Sequence, residues 1–565
     1  MIARESIGSE PSYSLHLAAV YRTQSTSTPG LGGEDFILPS MEFTPLRKPG
    51  PNEKRCATRH DLGFYSNLVV GGIYSFEPRY AKESELQHLD LYSSALIDCI
   101  RQHPYLSVAI QGIDSTDPVL VRSTRIDLRN HFRALRTEEL KTNITSQGDE
   151  AALLQRAIEQ LHNDERFMFT DVESKPAWSV DVLVLPRDER SAKYRVFISF
   201  TYSHSLGDGL SGIAFHRTFY EALQRNLQSN ESAGEAIIET LPSDLPDPGD
   251  AASKLPISWT YLLSPVLGSY LPSLLSRLLG VTAKLSGADD RTWTGSKTFS
   301  DTRTLGMRVT TSVEIVTITA QTLQQVLAVC KRHGTTLTPL LSYLIAQVMS
   351  SALGISDKWS EGNVNFVTTV PVNLRKALKV SEDVIGNYPS AAFMRHDLHA
   401  EDAHPLERIG CLDEQSWQYL RSESQKLADV ASRARDQPIG LLRYVSDFRT
   451  WMQDQVGGSR DSSWELSNLG SFNPTRNTPK NPESLAVDIE KMMFSQPASP
   501  IGPPLNFNVI GIRDGELNVC ITWQVGSLGI TRNDENESEE RNERRLVGQV
   551  ITSLITGLQE VGRTS

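Results

Sequence analysis

Residues Tyr194–Phe219 place the tightest constraint on the fold. Tyr194, Val196, Ile198, Phe200 and Tyr202 alternate with Arg195, Ser199 and Thr201, which is the period of a strand. Beyond Gly209, the residues Leu210, Ile213, Ala214, Phe215 and Phe219 give a helix a broad apolar surface. Between them lies His204-Ser-Leu-Gly-Asp208-Gly209. A strand passing through one short turn into such a helix implies a mixed α/β domain.

The same mixture runs along the chain. "LGFYSNLVVGGIYSF" from Leu62 is strand-like, and Leu86, Leu89, Tyr92, Leu96 and Ile100 predict a helix that Pro104 ends. A second helix is expected over Glu150 to Leu161, and a strand over Trp178 to Pro186. In the second half, a strand is expected near Arg308 to Ile318, then "TLQQVLAVCKRHG" ends at Gly334 as a helix should. "LLSYLIAQVMSSAL" and "VNFVTTVPVNLR" continue as helix and strand, and Asp514-Gly515 marks the turn of a hairpin ahead of a final amphipathic helix.

Length and composition set the frame. A chain of 565 residues exceeds one ordinary core and suits two domains. Residues 1–55, rich in Ser, Thr, Pro and Gly, read as a disordered extension, and the domains as 56–240 and 301–565 with a linker or crossover over 241–300. Within that linker, Ile257 to Ser276 carries no charge, but Pro265, Gly268 and Pro272 interrupt it. It is read as an apolar crossover, or a surface resting on a membrane, rather than a spanning helix.

A formal net charge of -12 argues against a nucleic-acid partner, whose phosphates need clustered cations. The five cysteines are scattered, without a C-x-x-C pair, so a reducing compartment and no structural zinc are expected. The first residues lack a basic start and an unbroken apolar run, so a cytoplasmic monomer is expected and the sequons at Asn143, Asn230 and Asn536 are read as incidental.

His204, at the end of a buried strand, can be fixed in direction while its ring meets a cavity, as a general base requires. Buried structural histidines are also common, and Asp208 stands where an acid favours the start of a helix, so the residues alone leave both readings open. "SNLG", with Ser467 and Asn468, reads equally as a polar turn. His103 and His216 are read as bystanders. There is no H-E-x-x-H, phosphate loop, G-x-G-x-x-G or G-x-S-x-G, so metal, nucleotide and nicotinamide chemistry find no support.

The H-x-x-x-D-G pattern after an apolar strand resembles the motif of the coenzyme-A-dependent acyltransferase superfamily. "RHDLGFYSNLVVGGIY", "PAWSVDVLVLP", "HSLGDGLSGIAFHRTFYEAL", "VPVNLRKAL", "GNYPS" and "WELSNLGSF" occur in an order similar to that of the fungal alcohol acetyltransferase family, over roughly residues 58–562. The resemblance implies two chloramphenicol-acetyltransferase-like domains with an active-site tunnel between them. It implies acetyl transfer from acetyl-CoA to an alcohol, without an acyl-enzyme and without a metal, in fungal specialised metabolism.

In that reading His204 is the base, Asp208 is a brace paired with Arg375, and Gly209 lets the backbone turn beside the base. Ser467 and Asn468 line the site opposite His204, with a donor for the developing oxyanion among them. An N-acetyltransferase acting on a lipid or small-molecule amine, and a catalytically silent binding protein of the same fold, are the alternatives. The plant enzymes' D-F-G-W-G motif is absent.

Overall fold

The alternation in Tyr194–Tyr202 produces a central strand, buried on both faces from Val196 onward. The computed structural model describes residues 43–140, 150–187, 192–229, 233–270, 284–298, 309–354, 364–398, 409–474, 485–530 and 538–563. Its strands in chain order are β1 Phe43–Arg47, β2 Leu68–Phe76, β3 Val108–Gln111, β4 Val119–Ser123, β5 Arg125–Asp127, β6 Phe132–Ala134, β7 Trp178–Val184 and β8 Tyr194–Tyr202. They continue with β9 Ile237–Glu239, β10 Thr311–Ile318, β11 Val364–Asn373, β12 Pro389–Leu398, β13 Trp464–Phe472, β14 Val487–Ser495, β15 Leu505–Ile512 and β16 Leu517–Gln524.

Two sheets organise two lobes. The first has the order β14-β2-β8-β7-β6 and the second β10-β16-β15-β13-β11-β12; β1-β4-β3 and β5-β9 form small flanking sheets. In the first sheet Val70, Ile198 and Phe200 pack under Phe215 and Phe219 of the helix Gly209–Ser229 and Leu96 of the helix Ser93–Gln102. Side chains of opposite parity, Val69, Ile73 and Phe197, meet Leu154 and Ile158 of the helix Glu150–Asn163, with Val313 and Cys520 of the second sheet. Both faces are covered, which explains why Phe197 is apolar where a half-solvated strand would place a polar residue.

The second sheet buries Phe366, Trp464, Phe507 and Trp523 against the helices Ala320–Arg332, Leu337–Ala352 and Glu539–Arg563. Its strand β13 lies parallel to both β11 and β15. Between β13 and β15 the chain leaves this lobe: β14 pairs antiparallel with β2, Met493 opposite Gly71, before β15 returns beside β13. Sheet membership therefore departs from a division into 56–240 and 301–565.

The expected extension over 1–55 is also corrected. Residues 1–42 lie outside the described residues, but Phe43–Arg47 is a strand and Pro51–Asp61 a helix. Pro51 opens that helix and Glu53 accepts from Gly50 N at 2.7 Å, a start signal hidden among turn-forming residues. Glu53 also binds Arg47 Nη1 at 2.7 Å and Tyr105 Oη at 2.7 Å, so the segment is anchored by buried polar contacts.

The expected helix around Leu86 to Ile100 is shorter, Ser93–Gln102, because His88 is extended and single 3-10 turns precede it. Of the uncharged run at Ile257, the described part includes the helix Trp259–Tyr270, and no described helix is long and apolar enough to cross a membrane. The cysteines are all free thiols, Cys411 exposed and the rest buried. Asn143, Asn230 and Asn536 lie outside the described residues.

Candidate active site

β8 delivers His204 to the junction of the lobes. Ser203 N, just past the strand, donates to Ala177 O at 2.9 Å, and Ser205 N donates to Ser203 Oγ at 3.3 Å, so the turn that carries the imidazole is fixed on both sides. His204 Nδ1 lies 3.1 Å from Asn387 Oδ1. Asn387 Nδ2 donates to His204 O at 2.9 Å and to Ser205 O at 3.3 Å, which orients the amide with its oxygen toward the ring. Nδ1 therefore donates, and Nε2 carries the lone pair. Among the described residues Nε2 has no protein partner, and His204 lines a cavity of about 390 Å³.

Both lobes build that cavity. Arg55, Arg59, Tyr65 and Leu68 come from the N-terminal segment, and Thr369, Ser390, Glu465, Ser467 and Asn506 from the second sheet. The Tyr65 ring centroid lies 5.7 Å from that of His204. Tyr65 Oη donates to Gln496 Oε1 at 2.7 Å, and Gln496 Nε2 donates to Glu465 Oε1 at 2.7 Å. Burial pushes the Glu465 carboxyl above its ordinary range. Cys56 Sγ lies 3.6 Å from His204 Nδ1; burial opposes ionisation of this thiol, but His204, Arg55 and Arg59 prevail and push it down to about 6.

Asp208 faces away from the base. Arg375 Nη1 donates to its Oδ2 at 2.7 Å and Nη2 to its Oδ1 at 2.9 Å, a bidentate pair between the turn after β8 and the end of β11. Tyr388 N and Ser211 N each donate to the carboxylate at 3.1 Å, and no hydrogen bond joins it to His204. Burial would raise the Asp208 carboxyl, yet Arg375 and Tyr388 N–H hold it below the usual carboxylate range. Tyr388 directly follows Asn387, so the loop Arg375 braces is the one that orients the imidazole.

The structure separates Ser467 from Asn468. Both lie inside β13 rather than in a turn, and alternate residues face opposite sides. Ser467 lines the cavity without a protein partner among the described residues, while Asn468 Nδ2 donates to Thr338 Oγ1 at 3.1 Å. Asn468 is thus corrected to a packing role.

Gly209 is corrected too. It opens a helix with no left-handed backbone, and a Cβ there would meet Leu469 Cδ2 at 2.6 Å. Clearance, not turning, explains the glycine. His103 and His216 bind Thr218 Oγ1 and Tyr74 Oη inside the first lobe. Sequence reasoning missed Asn387, Cys56, Arg55 and Arg59; the first was visible only as part of "GNYPS". Among the described residues no group of metal-ligating side chains is found.

Comparison with known proteins identifies the family and the fold. The alcohol acetyltransferase family model matches residues 149–537. A "Probable alcohol acetyltransferase FCK4" of Fusarium pseudograminearum is 24% identical over 86% of this chain and 91% of its own. A "Probable alcohol acetyltransferase crmB" of Aspergillus fumigatus is 25% identical over 84% of this chain and 94% of its own. Among solved structures, the TRI3 trichothecene 15-O-acetyltransferase of Fusarium sporotrichioides shares the two-lobed fold, with a TM-score of 0.60 at 14% identity over 91% of this chain and 94% of that one. F. sporotrichioides TRI101, solved with coenzyme A and T-2, gives 0.51 at 12% identity over 86% of this chain and 97% of that one.

Proposed function

Because the chain belongs to the alcohol acetyltransferase family, and is an acyltransferase acting on alcohols, we propose that acetyl-CoA is its donor and His204 its general base. The observation that carries this reading is the imidazole itself: Nδ1 is held by Asn387 Oδ1 and Nε2 is open to a cavity between the lobes. That is the tautomer and direction a base needs.

In the proposed reaction Nε2 accepts the proton of the acceptor hydroxyl as its oxygen attacks the thioester carbonyl. The C–S bond then breaks, and His204 returns the proton to the leaving thiolate. Base catalysis of this kind supplies about 10²- to 10⁴-fold. Ser467, which lines the same cavity without a protein partner among the described residues, would donate to the developing oxyanion. Asp208 and Arg375 touch no reacting atom; they hold the loop of Asn387. Fungal specialised metabolism is the setting suggested by TRI3, a trichothecene 15-O-acetyltransferase.

The test is a panel of alcohols and matched amines with acetyl-CoA, products read by mass. Acetyl esters are expected, with the rate lost by about 10²- to 10⁴-fold in His204→Ala. Undiminished transfer by His204→Ala would overturn the mechanism, and amide products alone would overturn the choice of acceptor.

A further inference from the structure

We infer that the acceptor alcohol also carries an oxyanion, a carboxylate foremost, which binds between the guanidinium groups of Arg55 and Arg59 inside the cavity that holds His204. This rests on the reading of that cavity as the transfer site.

Arg55 and Arg59 lie one turn apart on the helix Pro51–Asp61, and both line the cavity. Like charges at this spacing repel, and a helix gains nothing by placing them together. An internal carboxylate would normally offset the cost. Here Arg55 Nε donates to Asn52 Oδ1 at 3.1 Å, and the Cys56 sulfur is the other acceptor near its guanidinium, so no carboxylate pairs with it. Arg59 stacks 3.8 Å above the Tyr65 ring centroid, reaches Cys56 Sγ only at 4.0 Å, and its buried Nε has no partner.

Two acidic residues line the same cavity, and neither forms an ion pair with the arginines, although Glu465 feels the charge of both. Asp208 is taken by Arg375, and Glu465 is held by Gln496 without an ion pair to either arginine. The Cys56 thiol between them behaves as a reporter. His204 favours its ionisation most and Arg55 and Arg59 add to it, so the arginines contribute to a place that attracts negative charge. Guanidinium forks match a carboxylate or phosphate in shape as well as in charge.

Coenzyme A brings phosphates of its own, but the long pantetheine arm keeps them far from the reacting sulfur. Arg59 is close to the base: Nη2 lies 4.0 Å from Cys56 Sγ, which lies 3.6 Å from His204 Nδ1. The anion therefore belongs to the molecule whose hydroxyl meets His204.

The experiment uses the full chain with acetyl-CoA and matched probes: 3-hydroxybenzoate and 3-hydroxydecanoate against their methyl esters. Transfer is followed by product mass and binding by thermal shift, in the unaltered protein, Arg55→Gln, Arg59→Gln and Cys56→Ser. Carboxylates are expected to stabilise the protein and to exceed their esters in kcat/KM by about tenfold or more.

Each arginine variant should lose that preference by raising KM for the acid, leaving KM for acetyl-CoA unchanged; Cys56→Ser should retain it. Equal use of acids and esters would overturn the inference, as would no carboxylate-dependent thermal shift. A rise in KM for acetyl-CoA instead would assign the arginines to the phosphates of CoA and overturn it too. Arginine-dependent carboxylate binding without any transfer would uphold the anion site while refuting the transferase reading of this cavity.

Discussion

Asn387 Oδ1 stands 3.1 Å from His204 Nδ1, and the same amide returns Nδ2 to the His204 carbonyl oxygen at 2.9 Å. One side chain thus fixes both the ring tautomer and the backbone that carries it. Asn387→Ala should lower kcat by about 10²-fold, the effect of a misdirected reacting group, with KM little changed. Steady-state kinetics on a protein whose melting temperature is matched to the parent checks this. An unchanged kcat would show that the imidazole needs no such partner.

Removing one half of the Asp208–Arg375 pair leaves a buried charge without its counter-ion. Asp208→Asn should cost about 3–5 kcal/mol of stability, and Arg375→Lys should fail to rescue the bidentate geometry. A double-mutant cycle with Arg375→Met, followed by urea denaturation, is the measure. The two losses should not add, because the second substitution removes the orphaned charge that the first creates.

Ser467 and Asn468 should separate cleanly in kinetics. Ser467→Ala is expected to reduce kcat by about 10²- to 10³-fold if its hydroxyl serves the oxyanion. Asn468→Ala, whose side chain holds Thr338 outside the cavity, should act on stability far more than on turnover. Similar kcat losses in both variants would contradict the division of labour.

Five buried histidines set the acid limit of the fold. Burial pushes His103, His131 and His216 down to about 4, and His162 and His396 down to about 3. The unfolded chain takes up these protons first, near the ordinary value of about 6.5. Stability should therefore be complete above that value and fall as the pH drops toward the folded values, by up to ~1.4 kcal/mol per pH unit for each histidine. Urea midpoints at about pH 7.5 and about pH 5.5 test the sign; a flat profile would contradict it.

The strand that carries the base was legible because Tyr194, Val196, Ile198, Phe200 and Tyr202 alternate with Arg195, Ser199 and Thr201. β14 was not. Asp488, Glu490 and Lys491 interrupt the run Val487–Ser495, and an irregular register between Ile489 and Lys491 breaks the two-residue period. The helix Pro51–Asp61 was hidden by its neighbours: composition said loop, while Pro51 and Glu53 said helix start. His204, Asp208, Arg375 and Ser467 could be named from motifs, but not which way Asn468 would face. Asn387, Arg55 and Arg59 act through positions brought to His204 from far along the chain, a proximity no local pattern encodes.

The passage of β14 into the first sheet has a consequence for how the chain is made. The edge of β2 has no partner until residues 487–495 emerge, late in a chain of 565 residues. A nascent first lobe therefore presents an open row of backbone donors and acceptors while most of the remaining chain is still being synthesised, and long-range pairing of this kind closes slowly. A ribosome that stops before residue 487 releases a sheet with an adhesive edge, so premature termination yields aggregation rather than a free-standing half.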